Sequence, residues 1–122
     1  MVWYVKILKN RNQGDYVFER LEDYKFFQYL TDLPFVEKII LYGSRARQDN
    51  KERSDFDIAL VCPKAKESDW FKVLDIIDRA DTLLKIDCVR LDTLAKNSPL
   101  RQSIELQGVF VYDKERDEQL SD

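Results

Sequence analysis

A chain of 122 residues is long enough for one domain with one modest hydrophobic core. Hydrophobic residues make up 44% and charged residues 35%, a mixture typical of globular proteins rather than disordered or membrane-embedded ones. The net charge of −3 argues against a dedicated nucleic-acid-binding protein, which is usually basic, so we expect no strong intrinsic binding to nucleic acid.

The absence of histidine restricts the chemistry that the chain can perform. It excludes Ser-His-Asp and Cys-His nucleophilic sites and zinc bound through imidazole. A metal would be held by carboxylates, which favours hard ions such as Mg²⁺ or Mn²⁺. Cys62 and Cys88 lie in separate apolar segments, and we expect both to be reduced core residues. The charge-interrupted N-terminal segment predicts neither a signal peptide nor a membrane span, which favours a cytoplasmic location.

The first half of the chain predicts a helix followed by two strands. Residues 2–8 fit either a short strand or a helical turn. Residues 17–30 repeat apolar side chains at three- and four-residue steps, which predicts a helix that ends before Pro34. The segments "FVEKIILYG" (35–43) and "DFDIALVC" (55–62) are rich in β-branched and aromatic residues and predict strands.

The second half predicts two more helices and two more strands. Residues 67–84 carry an apolar stripe at helical spacing, and Ser68 is the expected N-cap. The segment "KIDCVRL" (85–91) predicts a strand. A helix over residues 99–107 and a last strand over residues 109–113 follow.

This order of elements predicts the α/β (α+β) class, a small mixed sheet with helices packed mainly on one face. The short link between the first two long strands indicates an antiparallel pair, so the sheet is mixed. We expect a single domain over residues 1–122, with the motif-bearing core at about 35–112. Residues 113–122 have no apolar face and are expected to form a flexible tail.

Two aspartates stand on the same side of the second strand. Side chains alternate along a strand, so Asp55 and Asp57 face one way and Phe56 faces the other. Adjacent like charges repel each other unless a cation or protons neutralise them. Asp87 faces the same place if its strand lies beside this one. Three clustered carboxylates suit one or two Mg²⁺ ions, which hold a triphosphate and stabilise displacement at phosphorus.

A Gly-Ser turn precedes these aspartates. Gly43 lets the backbone approach a ligand closely, and Ser44 is the expected cap of a short helical turn that would also offer its hydroxyl. Arg45 and Arg47 follow, where a phosphate chain could meet them. For both arginines, a solvated helix face or a surface salt bridge is an equal alternative to nucleotide binding.

Gly43-Ser44, ten intervening residues and then Asp55-x-Asp57 resemble the signature of the DNA polymerase β-like nucleotidyltransferase superfamily. More narrowly, "YGSRARQDNKERSDFDIALV" is similar to the minimal nucleotidyltransferases (MNT family), single-domain proteins usually encoded beside a HEPN-domain partner. The resemblance runs from about residue 35 to residue 112 and includes a third aspartate in the next strand.

The resemblance implies the nucleotidyltransferase fold and a role for each motif residue. Gly43 and Ser44 would bind the triphosphate of ATP. Two Mg²⁺ ions, or Mn²⁺, would be held by the three catalytic carboxylates: Asp55, Asp57 and Asp87. AMP would pass from ATP to a hydroxyl while pyrophosphate leaves. One departure is that Gln48 stands where the family often has glycine, which puts the local loop shape in question.

Three functions are open at this point. The first is an enzyme that transfers AMP to a tyrosine of a HEPN toxin and so acts as its antitoxin. The second is an antitoxin that works by stoichiometric binding, which the dense aromatic residues at positions 24–29 favour. The third is transfer to a small molecule or RNA, although the residues outside the motif-bearing core leave little room for an acceptor site.

Overall fold

The computed structural model describes residues 2–3 and 20–120. Within these residues, five strands form one sheet: β1 (Val2–Trp3), β2 (Lys38–Tyr42), β3 (Phe56–Val61), β4 (Ile86–Arg90) and β5 (Val109–Asp113). Their order across the sheet is β1-β5-β2-β3-β4. β2 is antiparallel to β3 and β5, whereas β4 is parallel to β3 and β1 is parallel to β5. The prediction of a mixed sheet is therefore confirmed.

The described helices are α1 (Lys25–Asp32), α2 (Gly43–Arg47), α3 (Glu67–Asp78), α4 (Pro99–Gln107) and α5 (Lys114–Leu120). Short 3₁₀ turns precede α1 and follow β4. None of the helices in this part of the chain has the length and apolar content needed to cross a membrane. Residues 2–3 are a strand, and the other predictions for residues 4–19 lie outside the described residues.

The two faces of the sheet are covered unequally. One face carries the larger core, in which Leu30 of α1 and Val73 of α3 pack on alternate residues of β2 and β3 such as Ile39 and Ile58. The opposite face carries a smaller cluster centred on Ile104 of α4. The helices thus lie mainly on one face, as predicted, and α4 lies on the other.

The helix predicted over residues 17–30 begins later than its apolar pattern indicated. Tyr24 is extended and α1 starts at Lys25. The cause is Asp81, whose carboxylate accepts hydrogen bonds from the backbone amides of Lys25 and Phe26, both at 3.1 Å. A carboxylate that binds the first amides of a helix fixes its start. This cap lies in the loop after α3, so no local pattern could have shown it.

Replacing Asp81 with alanine is expected to destabilise the protein by about 1 kcal/mol because α1 loses its cap. The amides of Lys25 and Phe26 hold the pKa of Asp81 below its ordinary value. Its contribution is therefore present above the unfolded pKa and is lost as the pH falls through the lower folded pKa. Urea unfolding at pH 7 and pH 3 checks this, with Asp78→Ala as the control. Equal stability of Asp81→Ala and wild type at pH 7 would contradict the cap.

Two other helix boundaries correct the predictions. The N-cap of α3 is Lys66 rather than Ser68, and the Lys66 amide donates to the Asp69 carboxylate at 2.9 Å. The helix ends at Asp78 instead of residue 84, while Leu84 still packs on the core from the following loop. A local apolar stripe continues past the helix end because loop side chains also reach the core.

The C-terminal segment is helical where we expected a flexible tail. α5 follows β5 directly, and its first residue is fastened to the loop before β2. The Lys114 amide donates to the Glu37 carbonyl, and its ammonium group donates to the Pro34 carbonyl, both at 2.8 Å. These contacts anchor a helix start that has no apolar face of its own.

Polar contacts fasten the end of β3 that lies away from the two aspartates. The Arg90 guanidinium donates to the carbonyls of Cys62 at 3.0 Å and Ala65 at 2.9 Å, and pairs with Asp92 at 2.8 Å. Asp92 also accepts from the Cys62 amide at 2.8 Å. Burial raises the pKa of the Cys62 thiol to about 11 and that of Cys88 to about 12. Neither cysteine forms a disulfide, as predicted.

Candidate active site

Three strand ends meet at one edge of the sheet on the face that carries α4. In the strand register, Tyr42 lies opposite Asp57, and Asp57 lies opposite Asp87. Side chains at paired positions project from the same face. The structure therefore brings Asp57 and Asp87 together, because the strand of Asp87 does lie beside that of Asp57, the condition stated above for their sharing one site.

Asp57 lies in the middle of a carboxylate cluster. Its pKa is raised first by partial burial and then by the negative charges of Asp87 and Asp55, and a hydrogen bond with Asp87 contributes further. Arg47 acts in the opposite direction. Asp55 and Asp87 are thus both close enough to act on Asp57, and repulsion between like charges favours either a proton or a cation there.

The described residues contain no ready-made group of three His, Cys, Asp or Glu side chains around a metal position. The donors at this edge nevertheless fit a hard ion, because they are all carboxylate oxygens and the Asp87 side chain is 51% exposed. Mg²⁺ is commonly bound through one or two carboxylates together with phosphate oxygens of the substrate. An incomplete protein cage of this kind suits an ion that arrives with a nucleotide.

Gly43 lies directly against this cluster. Its φ of 73° is in the left-handed region, and a side chain here would collide with the Asp57 carboxylate, whose Cγ lies 3.2 Å from the position of a Cβ. Glycine is therefore required both for the backbone conformation and for the close approach. Ser44 is the second residue of α2 and does not cap it, because the N-cap is Tyr42, without a side-chain hydrogen bond.

Arg45 is buried, with 7% of its surface exposed, so the alternative of a solvated helix face is wrong for this residue. Its guanidinium donates to the carbonyls of Glu52 and Ser54. Arg47 is half exposed and pairs with Asp49 at 3.1 Å, which agrees with the surface salt bridge considered above. Nucleotide binding by Gly43, Ser44 and the two arginines stays a prediction.

Comparison with known proteins identifies the family. The family model described as "Polymerase beta, Nucleotidyltransferase" matches residues 25–117, more than half of the chain. The chain belongs to this nucleotidyltransferase family. The match extends beyond the core of residues 35–112 at both ends and includes α1 and the start of α5. No curated protein sequence matches the chain.

Several solved structures share the fold of this nucleotidyltransferase. A mutant of the toxin-antitoxin MntA-HpeT is 23% identical, with a TM-score of 0.57 over 84% of this chain and 80% of that one. A toxin-antitoxin with AMP-PNP is 22% identical, with a TM-score of 0.52 over 78% of this chain and 77% of that one. A putative nucleotidyltransferase from Sulfolobus solfataricus is 18% identical, with a TM-score of 0.50 over 75% and 78%, respectively.

Tyr42 of the nucleotidyltransferase also lies beside the carboxylate cluster. Its ring packs on the smaller cluster, but its phenol faces the carboxylates. Burial, followed by the charges of Asp57 and Asp87, raises its pKa to about 12. The phenol therefore stays protonated at neutral pH and is able to donate a hydrogen bond. The signal in the sequence is its position directly before Gly43-Ser44.

Gln48, the departure from the glycine of the family, ends α2 in the left-handed region with a φ of 63°. A residue with a side chain is strained by roughly 1–2 kcal/mol in this conformation, and glycine relieves that strain. Glycine also loses more backbone entropy on folding, which offsets about half of the gain. We therefore expect Gln48→Gly to raise the free energy of unfolding by about 0.5–1 kcal/mol. Urea unfolding measures this, with Gln102→Gly inside α4 as a control that should destabilise. A destabilised Gln48→Gly would mean that the side chain is needed there.

Proposed function

We propose that this nucleotidyltransferase transfers AMP from ATP to a protein hydroxyl, a tyrosine of a HEPN-domain toxin, in a Mg²⁺-dependent reaction, and so acts as the antitoxin. The observation that carries the proposal is the contact of Gly43 with the carboxylate cluster of Asp57 and Asp87. In this proposal the turn binds phosphate and the carboxylates bind metal, and the contact between them supports both roles. The fold shared with toxin-antitoxin structures, one of them with AMP-PNP, supports the same proposal.

In this proposal the metal ligands are Asp55, Asp57 and Asp87. Bound Mg²⁺ would neutralise the triphosphate and stabilise the charge that develops at phosphorus. The acceptor oxygen forms a bond to the α-phosphorus, and the bond between the α-phosphorus and the bridging oxygen breaks, so pyrophosphate leaves. Asp87, half exposed at the edge of the cluster, would take the proton of the acceptor hydroxyl.

The other residues of the edge orient the nucleotide. The backbone at Gly43 is free of a side chain where the phosphates would pass the carboxylates. Tyr42, protonated at neutral pH, would donate to a phosphate oxygen from the strand face. Half-exposed Asp87 leaves the edge open to solvent, which suits an acceptor side chain that is presented by another protein.

The decisive experiment is incubation with α-³²P-labelled ATP, Mg²⁺ and the HEPN protein encoded by a neighbouring gene. We expect label on the HEPN protein, no label after its acceptor tyrosine is replaced by phenylalanine, and none with Asp55→Ala/Asp57→Ala. Absence of label transfer by the wild type, under conditions where binding of Mg²⁺ and ATP is demonstrated, would reject AMP transfer to this partner.

Stoichiometric binding is the second candidate, and exposed apolar side chains favour it. Tyr29 of α1 is 56% exposed, and Phe71 and Leu74 of α3 are 66% and 41% exposed. Phe26 and Phe27, in contrast, are buried in the core. If the double aspartate variant still neutralises the toxin at equal expression, binding alone is sufficient. Transfer to RNA or a small molecule and the cytoplasmic location stay predictions.

Millimolar Mg²⁺ with ATP is expected to raise the melting temperature of the protein by several degrees. Ligand at a hundred times its dissociation constant stabilises by about 2.7 kcal/mol, and here it also relieves the repulsion around Asp57. Differential scanning fluorimetry of the wild type and Asp57→Asn checks this, and the variant should show a much smaller shift. An unchanged melting temperature of the wild type would indicate that the site does not bind Mg²⁺ and ATP.

A further inference from the structure

Arg45 is buried between α2 and the loop that leads into β3. Its Nη2 atom donates to the carbonyl oxygens of Ser54 at 2.9 Å and Glu52 at 3.1 Å, and its Nε atom donates to Ser54 at 3.1 Å. Hydrogen bonds from a buried cation to backbone carbonyls are stronger than neutral ones. The guanidinium thus fixes the backbone immediately before Asp55.

The same guanidinium also contacts the residue that follows Asp55. Its Cζ atom lies 4.3 Å from the centre of the Phe56 ring. Phe56 is 1% exposed and is held in turn by Tyr24 and Phe26, with ring centres 5.6 and 6.5 Å away. A cation over a buried aromatic ring is stabilised by the ring's negative face. Both chain neighbours of Asp55 are therefore held by one side chain.

We propose that Arg45 is the positioning residue of the metal site: it fixes Asp55 relative to the Gly43-Ser44 turn through the backbone on either side of that aspartate. The inference rests on the proposed function, because it gives Asp55 the role of a metal ligand. It also explains the ten residues between Ser44 and Asp55. The loop folds back so that its last carbonyls meet the side chain that directly follows Ser44.

A lysine could not perform this task. The planar guanidinium donates from two nitrogens to two carbonyls while its face lies on a ring, whereas an ammonium group is a point charge without a face. Residues that support metal ligands typically cost about tenfold to a hundredfold in metal affinity or activity when they are replaced. Loss of Arg45 should therefore weaken metal binding even in molecules that remain folded.

The test compares Arg45→Met with a matched variant, Arg90→Met, in which the altered residue ends β4. Arg90 also donates to two backbone carbonyls, but those of Cys62 and Ala65, which follow the end of β3 away from Asp55. Urea unfolding at several temperatures identifies one at which wild type and both variants are folded. Electron paramagnetic resonance of unbound Mn²⁺ then measures Mn²⁺ binding in the presence of AMP-PNP.

We expect Arg45→Met to bind Mn²⁺ with AMP-PNP at least about tenfold more weakly than wild type, and Arg90→Met to bind as wild type does. Arg45→Lys, which retains the charge, should fold and still bind weakly, so it replaces Arg45→Met if that variant does not fold. Affinities of the Arg45 variants equal to wild type, or an equal loss in Arg90→Met, would overturn the positioning role. Failure of the wild type itself to bind would overturn the proposed function and this inference with it.

Discussion

Replacing Asp57 with asparagine is expected to lower AMP transfer on the order of a thousandfold and to make the metal-free protein more stable. The amide keeps the size of the carboxylate, but it carries no charge with which to bind Mg²⁺. It also removes the central charge from a cluster in which partial burial, and then the charges of Asp87 and Asp55, raise the pKa of Asp57. Loss of activity with a gain in stability is characteristic of a functional group, since a structural one would give losses in both.

The stability gain has a defined pH dependence. The pKa of Asp57 is higher in the folded protein than in the unfolded chain, so the folded state binds its proton more tightly. Wild type therefore loses stability as the pH rises from about 4 through the raised pKa. The asparagine variant cannot ionise and lacks this loss. The opposite contribution of Asp81 is present in both proteins and cancels in the difference.

Urea unfolding between pH 4 and pH 8, without divalent metal, measures the difference between wild type and Asp57→Asn. Asp75→Asn is the matched control, because Asp75 is an exposed carboxylate on α3 paired with Arg79. It should change neither transfer nor the pH profile of stability by much. Transfer by Asp57→Asn within tenfold of wild type would remove Asp57 from the proposed mechanism.

Gly43→Ala is expected to damage both the fold and the reaction. A φ of 73° costs a residue with a side chain roughly 1–2 kcal/mol. The new methyl group would also collide with the Asp57 carboxylate and displace it. We expect a loss of about 2 kcal/mol in unfolding free energy and about a hundredfold loss of transfer, because small misplacements at a reacting centre are costly.

Gly108→Ala separates the two effects of the Gly43 change. Its methyl group would collide with the Ile104 carbonyl and lie 2.6 Å from the Ile40 Cγ2 atom, without contact to Asp57. It should destabilise the protein while each folded molecule keeps its transfer rate. Chemical denaturation and transfer at a temperature where both variants are folded provide the measurement. Full transfer by Gly43→Ala would mean that the turn tolerates a side chain.

Elements whose signals are local could be predicted from the sequence. The alternation in β3 and the Ser98-Pro99 start of α4 both lie within a few residues, and the structure has both elements. The pairing of Asp57 with Asp87 was a condition that the sequence left open, and the structure meets it because β3 and β4, joined by a helix, are parallel neighbours. A repulsive pair at matched positions then indicated a shared function.

Features that depend on distant contacts could not be predicted in this way. The start of α1 is set by Asp81, more than fifty residues along the chain. Arg45 follows a glycine-serine turn and carries a charge, so a local reading placed it on a surface or at a phosphate. Its burial depends on the carbonyls of a loop whose path only the folded chain defines.

The parallel pairing of β3 and β4 has a consequence for the order in which the protein folds. Asp57 and Asp87 are thirty positions apart and come together only after α3 has crossed the sheet and β4 has docked. The repulsion between them is therefore absent from the hairpin of β2 and β3 and enters at the docking step. A divalent cation bound with nucleotide would oppose undocking of β4. Metal binding would therefore measure whether β4 is paired with β3.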